Sequence, residues 1–252
     1  MRRIALFSDI HGNTAALDAV LGDMDACGIT ERYCLGDLVG YGPDPAGVVD
    51  RIRSLGVPTI MGNYDDGIGN RRGECGCYYA TDQARSDGAA SYAFTEPLID
   101  DERAAWLAAL PHEIRLDLKG TRVLLAHGSP RKINEYLLPD RTDEQLVRLA
   151  VAADADVVCV GHVHVPYHRV LSAEDGRRID YVSSGSVGKP KDGDPRACWV
   201  ELIIGDAGEI DATFHRVAYD IERVAAAMLA AGLPDIIGRR ASARLNTNGW
   251  SA

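Results

Sequence analysis

Strand-like and helix-like segments alternate along the first half of the chain, and this alternation restricts the fold more than any other feature. An apolar run at residues 3–8 reads as a strand. The next segment has four apolar residues on one helical face: Leu17, Val20, Leu21 and Met24. Such alternation is typical of βαβ units around a mostly parallel sheet. The sequence therefore predicts strands whose carboxyl ends meet at one edge.

The remaining elements follow from the same two periodicities. Strands are predicted at 32–37 and 57–63, with a helix from Asp44 to Leu55 between them. A hairpin is predicted at 112–128 with its turn at Lys119 and Gly120, then a helix from Thr142 to about Ala153 and a strand at 156–162. The second half has antiparallel signals and ends in a helix; these elements cover 167–172, 179–184, 198–204, 210–217 and 220–231.

One stretch interrupts the pattern. Residues 64–98 are polar, with glycines clustered early and no sustained period, and a helix around Trp106 follows. We interpret about 64–110 as an insertion that covers a site. The length of 252 residues suits one large α/β domain or two small ones. We predict a single domain over 1–237 and a flexible tail over 238–252.

Composition excludes some functions. A formal net charge of −10 argues against non-specific binding of nucleic acid or of anionic lipid, so a phosphate would have to be held locally. The N-terminal apolar run is too short for a secretory or membrane segment, and the six cysteines lack the spacing of a disulfide framework. We therefore expect a cytoplasmic protein without membrane partners. The sequence leaves its oligomeric state open.

Polar side chains follow the predicted strands where each strand ends. The set is Asp9, His11, Asp37, Asn63, His127, His162 and His164. Each residue alone has an ordinary interpretation, such as a helix cap or a turn. Together they favour a ligand site, because open α/β sheets bind ligands at the carboxyl edge of their strands. His162 and His164 are two residues apart, so both imidazoles point to the same side of an extended chain.

The chemistry of these donors favours metal ions. A set of carboxylate, imidazole and amide donors without cysteine suits Mn, Fe, Zn, Ni or Mg. Seven donors are too many for one tetrahedral ion. They suit two divalent ions roughly 3.5 to 4 Å apart that share one carboxylate, an arrangement that clamps an in-line displacement at phosphorus.

Five ordered motifs resemble those of the calcineurin-like metallophosphoesterase superfamily: SDIHGN, LGDLVGYG, MGNYD, AHGSP and VGHVHVP. The resemblance implies an α/β fold, a four-layer α-β-β-α sandwich of two mixed β-sheets flanked by helices. It implies a dinuclear centre whose metal-bridging hydroxide attacks phosphate esters or anhydrides. It assigns Asp9, His11 and His164 to one metal. It assigns Asn63, His127 and His162 to the other, with Asp37 as the bridge.

The third motif departs from the family pattern. Where the superfamily usually has a histidine that protonates the leaving group, this chain has Tyr64 followed by Asp65. Asp37, Asn63, Tyr64 and Asp65 are the predicted catalytic group. Tyrosine, with a usual pKa of about 10, is a poor proton donor at neutral pH. Phosphodiesters or nucleotide polyphosphates such as diadenosine tetraphosphate are therefore the favoured substrates. A serine/threonine protein phosphatase-like phosphomonoesterase is the first alternative, and a non-catalytic interaction module on the same fold is the second.

The predicted substrate contacts are Asn13, Arg71, Arg72 and Lys189. Asn13 has the alternative role of capping a helix, and a Lys-Pro-Lys turn is often solvated. Tyr41, Tyr78 and Tyr79 suit either base stacking or packing of the insertion. The C-x-C motif of Cys75 and Cys77 is only a weak metal-binding signal.

Overall fold

The structure is a computed structural model that describes residues 1–233 of the chain. The strands are β1 Arg2–Phe7, β2 Arg32–Cys34, β3 Glu113–Leu118, β4 Thr121–Ala126, β5 Val157–Val160, β6 Pro166–Ser172, β7 Arg178–Ser184, β8 Ala197–Ile204 and β9 Ile210–Val217. The helices are α1 Thr14–Ala26, α2 Pro45–Leu55, α3 Asn63–Gly69, α4 Asp82–Thr95, α5 Asp101–Ala108, α6 Asp143–Ala152 and α7 Ile221–Ala230, with a short 3-10 helix at Glu96–Leu98. The predicted tail at 238–252 lies outside the described residues.

The strands form two mixed sheets. The first has the order β2-β1-β8-β9, with β1 parallel to β2 and antiparallel to β8. The second has the order β3-β4-β5-β7-β6, in which β4, β5 and β7 are parallel and the outer strands β3 and β6 are antiparallel to their neighbours. Both β1 and β5 lie inside their sheets, so their carboxyl ends are surrounded by other loops.

The alternation of side chains along the inner strands produces four layers. In β1, Ile4 and Leu6 pack in a core with residues of the second sheet, whereas Ala5 and Phe7 pack with α1 and α2. In β5, Val158 packs in the core that includes α6, whereas Val157 belongs to the core between the sheets. This arrangement of helices, sheet, sheet and helix confirms the predicted four-layer fold.

The predicted strand at 57–63 is wrong. Only Thr59 forms an isolated parallel bridge, with Cys34. Pro58 has no N–H to donate, and the backbone N–H of Met61 bonds to the carbonyl of Pro111 rather than to a strand. The segment therefore crosses the edge of the first sheet and leads directly into α3.

The stretch at 64–98 contains regular structure that periodicity does not reveal. Most of α3 and all of α4 fall within it. The buried face of α4 consists of Gly88, Ser91, Tyr92 and Thr95, and these small and polar residues give no hydrophobic period. The domain limits remain a prediction.

None of the helices described within residues 1–233 combines the length and the apolar composition that a membrane span requires.

Asp156 joins the starts of three neighbouring strands in the second sheet. Its carboxylate accepts the Arg122 backbone N–H at 3.0 Å, the Arg122 Nε–H at 2.9 Å and an Arg177 N–H at 2.9 Å. Hydrogen bonds from Arg122 hold the pKa of Asp156 well below its usual range.

We expect Asp156→Asn to lower the free energy of unfolding by about 1–3 kcal/mol at pH 7, because the variant loses charge-assisted hydrogen bonds. A depressed folded-state pKa stabilises the fold above the unfolded pKa, and that stabilisation is lost as pH falls through the folded value. The difference between wild type and variant should therefore narrow below about pH 4 in urea unfolding. Glu144→Gln, in an exposed pair with Arg148, is the control and should cost less than about 0.5 kcal/mol. Equal losses for both variants would contradict the assignment.

Candidate metal centre

The seven predicted ligands converge on one buried site. Loops that follow β1, β2, β4 and β5, together with the start of α3, supply them, and each side chain is at most 4% exposed. Their donor atoms form two groups, each with all atoms within 4.8 Å of one another: Asp9 with His11 and His164, and Asp37 with His127 and His162. These are carboxylate and imidazole groups in a geometry that suits divalent cations.

Within the first group the imidazoles face each other and one carboxylate oxygen. His11 Nε2 lies 3.2 Å from His164 Nε2, and His164 Nε2 lies 3.1 Å from Asp9 Oδ1. The other oxygen of Asp9 accepts hydrogen bonds from the Ser8 hydroxyl and from the His162 backbone N–H. The protein thus satisfies Asp9 Oδ2 and leaves Oδ1 pointing toward the imidazoles.

Asp37 lies between the two groups. Its Oδ2 is 3.8 Å from His11 Nε2 and 3.4 Å from His127 Nε2, whereas its Oδ1 accepts the backbone N–H of Tyr64 at 2.8 Å. One carboxylate oxygen is therefore shared by imidazoles of both groups. Asn63 joins the second group, since its Oδ1 lies 3.1 Å from His127 Nε2.

Backbone carbonyls orient three of the imidazoles. Nδ1 of His11 lies 2.9 Å from the carbonyl of Val39, and Nδ1 of His127 lies 2.7 Å from that of Leu35. Nδ1 of His164 lies 2.5 Å from the carbonyl of Lys189. A carbonyl can only accept, so each Nδ1 carries a proton and each Nε2 is directed at the site.

Five of the seven ligands have left-handed backbone conformations. Among residues 1–233, nine non-glycine residues have positive φ, and five of them are Asp9, His11, Asp37, His162 and His164, with φ between 50° and 64°. This conformation is unfavourable for side chains other than glycine. Its concentration here indicates that the loops are shaped for their side chains to converge.

The charges of the site suit cations. Two carboxylates are buried, and Asp9 Oδ1 and His162 Nε2 have no hydrogen-bond partner among the described residues. Burial lowers the pKa of His11 to about 3, so that this imidazole is a neutral ligand. Burial opposes the charge of His127, but Asp37 overcomes it and raises the pKa of His127 to about 9. Buried negative charge and unpartnered donors are the features that divalent metal binding requires.

Comparison with known proteins identifies the family. The description of the matching family is calcineurin-like phosphoesterase superfamily domain, and the match covers residues 1–203. The chain belongs to the calcineurin-like phosphoesterase superfamily. The family expected from the five motifs is therefore confirmed.

Relatives match nearly the whole chain. An uncharacterised protein of Methanocaldococcus jannaschii is 32% identical, over 94% of this chain and 96% of its own. The crystal structure of a metallophosphoesterase from Sphaerobacter thermophilus is 31% identical, with a TM-score of 0.72, over 95% of this chain and 98% of that one. A hypothetical protein from Pyrococcus horikoshii shares the fold, with a TM-score of 0.77 at 21% identity over 95% and 97% of the two chains.

The GD and GN motifs pack backbone to backbone. A Cβ on Gly36 would lie 2.4 Å from the nitrogen of Gly62, and a Cβ on Gly62 would lie 2.1 Å from the nitrogen of Asp37. Only glycine at both positions allows this approach. The contact places Asn63 beside Asp37.

Asp65 holds these two motifs together. Its carboxylate accepts the backbone N–H groups of Asp37 at 2.8 Å, Leu38 at 2.9 Å and Gly62 at 2.9 Å. Burial and the neighbouring charge of Asp37 raise its pKa to about 7. Asp65 therefore positions the two loops. Its carboxylate contacts backbone N–H groups rather than the donor atoms of the predicted metal ligands, so its predicted place in the catalytic group is not supported.

Tyr64 forms part of the wall beside His11. It is 1% exposed, and its ring centroid lies 5.0 Å from that of Tyr41 and 5.4 Å from that of His11. Its hydroxyl makes no hydrogen bond of ordinary length, and burial raises its pKa well above the usual value. A role for Tyr64 in proton transfer remains a prediction.

Three of the predicted substrate contacts, Asn13, Arg71 and Arg72, have structural roles in the protein. Asn13 is 1% exposed and caps α1, accepting the Ala16 N–H at 3.1 Å. Arg71 donates to the carbonyls of Glu96 and Ile99 and pairs with Asp101, and Arg72 pairs with Asp66. These contacts account for Asn13 as a helix cap and for both arginines as residues that hold the insertion together.

Lys189 lies next to the site. Its side chain is largely buried, with Nζ 3.3 Å from the centroid of the Tyr41 ring. Its charge contributes to the low pKa of His11. The positively charged ammonium group of Lys189 therefore lies beside the first ligand group.

Sequence reasoning missed two kinds of supporting residue. Ser8 donates to Asp9, although serine before the first ligand carries no distinctive signal. Cys77 contacts Asn63, with the Asn63 Nδ2–H donating to its Sγ at 3.1 Å. The C-x-C motif was visible in the sequence, but its partner became evident only through the fold.

Two other histidines lie outside the centre. His168 pairs with Asp180 at 2.6 Å, and His215 stacks on Trp199 with ring centroids 3.9 Å apart. His215 also lies near Asp23 and Cys27 in a third group of potential ligands. There the guanidinium of Arg3 already supplies positive charge, so this group does not require a cation.

We expect Mn²⁺ at about 100 times its Kd to stabilise the protein by about 2.7 kcal/mol per site, which raises Tm by roughly 5–10 °C. Asp37→Asn should remove most of this rise, because the shared carboxylate loses its charge. Calorimetry with and without EDTA measures the Mn²⁺-dependent rise of Tm in both proteins. Asp18→Asn, at an exposed position, should respond to Mn²⁺ like wild type, and an unaltered Mn²⁺ response in Asp37→Asn would contradict the role of Asp37.

Proposed function

We propose that this chain is a phosphoesterase that uses two divalent cations to hydrolyse phosphodiesters or nucleotide polyphosphates such as diadenosine tetraphosphate. The observation that carries the proposal is the pair of buried ligand groups that share Asp37 Oδ2, with donor atoms left unpartnered by the protein. Asp9, His11 and His164 would hold one cation, and Asn63, His127 and His162 the other. Family membership supports phosphoester hydrolysis in general.

The two cations would supply the Lewis acidity that activates water and offsets the negative charge of the phosphate oxygens during displacement. The protein supplies the rest. The carbonyls of Val39, Leu35 and Lys189 keep three imidazoles oriented with Nε2 toward the site. Asp65 fixes the loop of Asp37, so that the shared oxygen stays between the two groups.

The environment of Tyr64 favours substrates with good leaving groups. A phenol whose pKa is raised by burial retains its proton at neutral pH and is a weak general acid. An alkoxide leaving group needs a proton, whereas a nucleotide phosphate or a nitrophenolate can depart as an anion. This argument supports diesters with activated leaving groups and polyphosphates over simple alkyl monoesters.

Lys189 is our proposed substrate contact. A largely buried ammonium beside the first ligand group can attract a phosphate oxygen without the screening that a surface lysine experiences. The Tyr41 ring stabilises the ammonium charge of Lys189 through a cation–π contact and restricts the movement of the Lys189 side chain.

A substrate panel tests the ranking. With Mn²⁺, kcat/KM for diadenosine tetraphosphate or bis-p-nitrophenyl phosphate should exceed that for a phosphopeptide by about tenfold or more, which corresponds to about 1.4 kcal/mol of transition-state stabilisation. EDTA treatment and Asp37→Asn are the controls. Hydrolysis of the phosphopeptide alone would favour the protein phosphatase-like alternative. Metal binding without hydrolysis of any substrate would favour the non-catalytic module.

We expect Lys189→Met to lower kcat/KM by roughly 10²-fold, because a preorganised positive charge near the phosphate is lost while side-chain length is kept. Mn²⁺ binding, measured by calorimetry, should change little. Lys119→Met is the matched control, because Lys119 pairs with Asp206 in an exposed turn, and it should retain wild-type kinetics. A loss of activity in the control, or none in Lys189→Met, would contradict the proposed contact.

A further inference from the structure

The two cysteines of the insertion lie against a predicted metal ligand without belonging to either ligand group. The Asn63 Nδ2–H group donates to the carbonyl of Cys75 at 2.9 Å and to Sγ of Cys77 at 3.1 Å. The two Sγ atoms are 2.8 Å apart. The amide nitrogen of Asn63 is thus held by the cysteine loop, while its Oδ1 faces His127.

We propose that Cys75 and Cys77 form a reversible redox-modification site, and that their oxidation to a disulfide by a low-molecular-weight disulfide weakens the metal position served by Asn63. The inference rests on the proposed function, in which Asn63 is a ligand. It goes further by assigning a control of that site to a pair of residues outside the ligand set.

The geometry of the pair suits bond formation. The sulfurs must approach from 2.8 Å to about 2.05 Å, a movement of less than the length of one bond. Gly76 between them has a φ of 64°, so the chain already turns sharply and directs both side chains to one side. Cys77 is partly exposed and open to a reagent, whereas Cys75 is buried behind it. By contrast, Cys34, Cys159 and Cys198 are buried in the core.

The chemistry balances with one external disulfide. Cys77 gives its proton to water, and its sulfur attacks one sulfur of the small disulfide, which forms a mixed disulfide and releases one thiolate that takes up a proton. Cys75 then gives its proton to water, and its sulfur attacks Sγ of Cys77 and releases the second thiolate, which also takes up a proton. Two protein thiols are oxidised by two electrons, and the external disulfide is reduced to two thiols.

A disulfide between Cys75 and Cys77 would affect the metal site through the two contacts of the Asn63 amide nitrogen. Contraction of the loop shifts both acceptors of Asn63 Nδ2, so Oδ1 loses its fixed orientation toward the second position. On its outer side the loop is held by Asn134, whose Nδ2 donates to the carbonyl of Gly76 at 2.6 Å. Asn63 belongs to the proposed second metal position, so that position should weaken first.

The experiment compares reduced and oxidised full-length protein. The metal-free protein is treated with excess glutathione disulfide, peptide mapping by mass spectrometry locates the bridge, and calorimetry measures Mn²⁺ binding. We expect a Cys75–Cys77 bridge and about tenfold weaker Mn²⁺ binding at one of two sites, because partners of metal ligands contribute 10–100-fold to affinity. Dithiothreitol should restore binding, which a merely structural effect of the cysteines would not explain.

Three variants complete the test. Cys77→Ser should make Mn²⁺ affinity insensitive to glutathione disulfide, whereas Cys75→Ser should form no bridge and stop at a mixed disulfide on Cys77. Cys27→Ser, which removes a partly exposed cysteine at the end of α1, should keep the wild-type response. Absence of a 75–77 bridge after oxidation, or unchanged Mn²⁺ affinity of the bridged protein, would overturn the inference. A reduced protein that binds no Mn²⁺ would contradict the proposed function itself, whereas normal binding by both forms contradicts only the redox control.

Discussion

The burial of negative charge at the junction of the two sheets is the constraint on which the rest of the structure depends. Asp9 and Asp37 are almost fully buried. In each carboxylate one oxygen accepts a hydrogen bond from a backbone N–H group and the other is directed at imidazoles. A carboxylate in such surroundings is strongly unfavourable unless a positive charge accompanies it. Burial lowers the pKa of His11, so His11 contributes no charge, and the protein supplies positive charge through Lys189 beside the first group and through His127, whose pKa Asp37 raises. This balance of buried charges determines which side chains the surrounding loops bring together.

The strained loops show how this requirement is met. Each left-handed non-glycine residue costs on the order of 1–3 kcal/mol, and such residues persist only when their surroundings determine the conformation. Here the loops support one another through backbone hydrogen bonds, from Asp9 to Gly36 at 2.9 Å and from His11 to Asp37 at 3.0 Å. The close contact of Gly36 with Gly62 connects the third loop to the same assembly. Side-chain convergence is thus fixed by backbone packing before any ligand binds.

The sequence predicts much of this architecture because its information is local. Apolar periodicity locates most strands and helices, and the position of His127 or His162 after a strand requires only the rule that parallel strands end at one edge. Periodicity fails at 57–63, where Thr59 forms an isolated bridge with Cys34 instead of a strand. It also fails in α4, whose buried face is too polar to be recognised as a helical pattern. The roles of Asp65 and Cys77 could not be predicted, because their partners are distant backbone groups and an amide that only folding brings near.

The division of the ligands between the sheets has a mechanical consequence. Asp9 and Asp37 follow strands of the first sheet, whereas the imidazoles at 127, 162 and 164 follow strands of the second. Any cation held by both sets would cross-link two sheets that otherwise contact each other through a shared apolar core and hydrogen bonds such as that from the His162 N–H to Asp9. Movement of one sheet relative to the other and loss of the ion would therefore be thermodynamically linked. A change that raises the affinity for the ion would also hold the two sheets together more firmly.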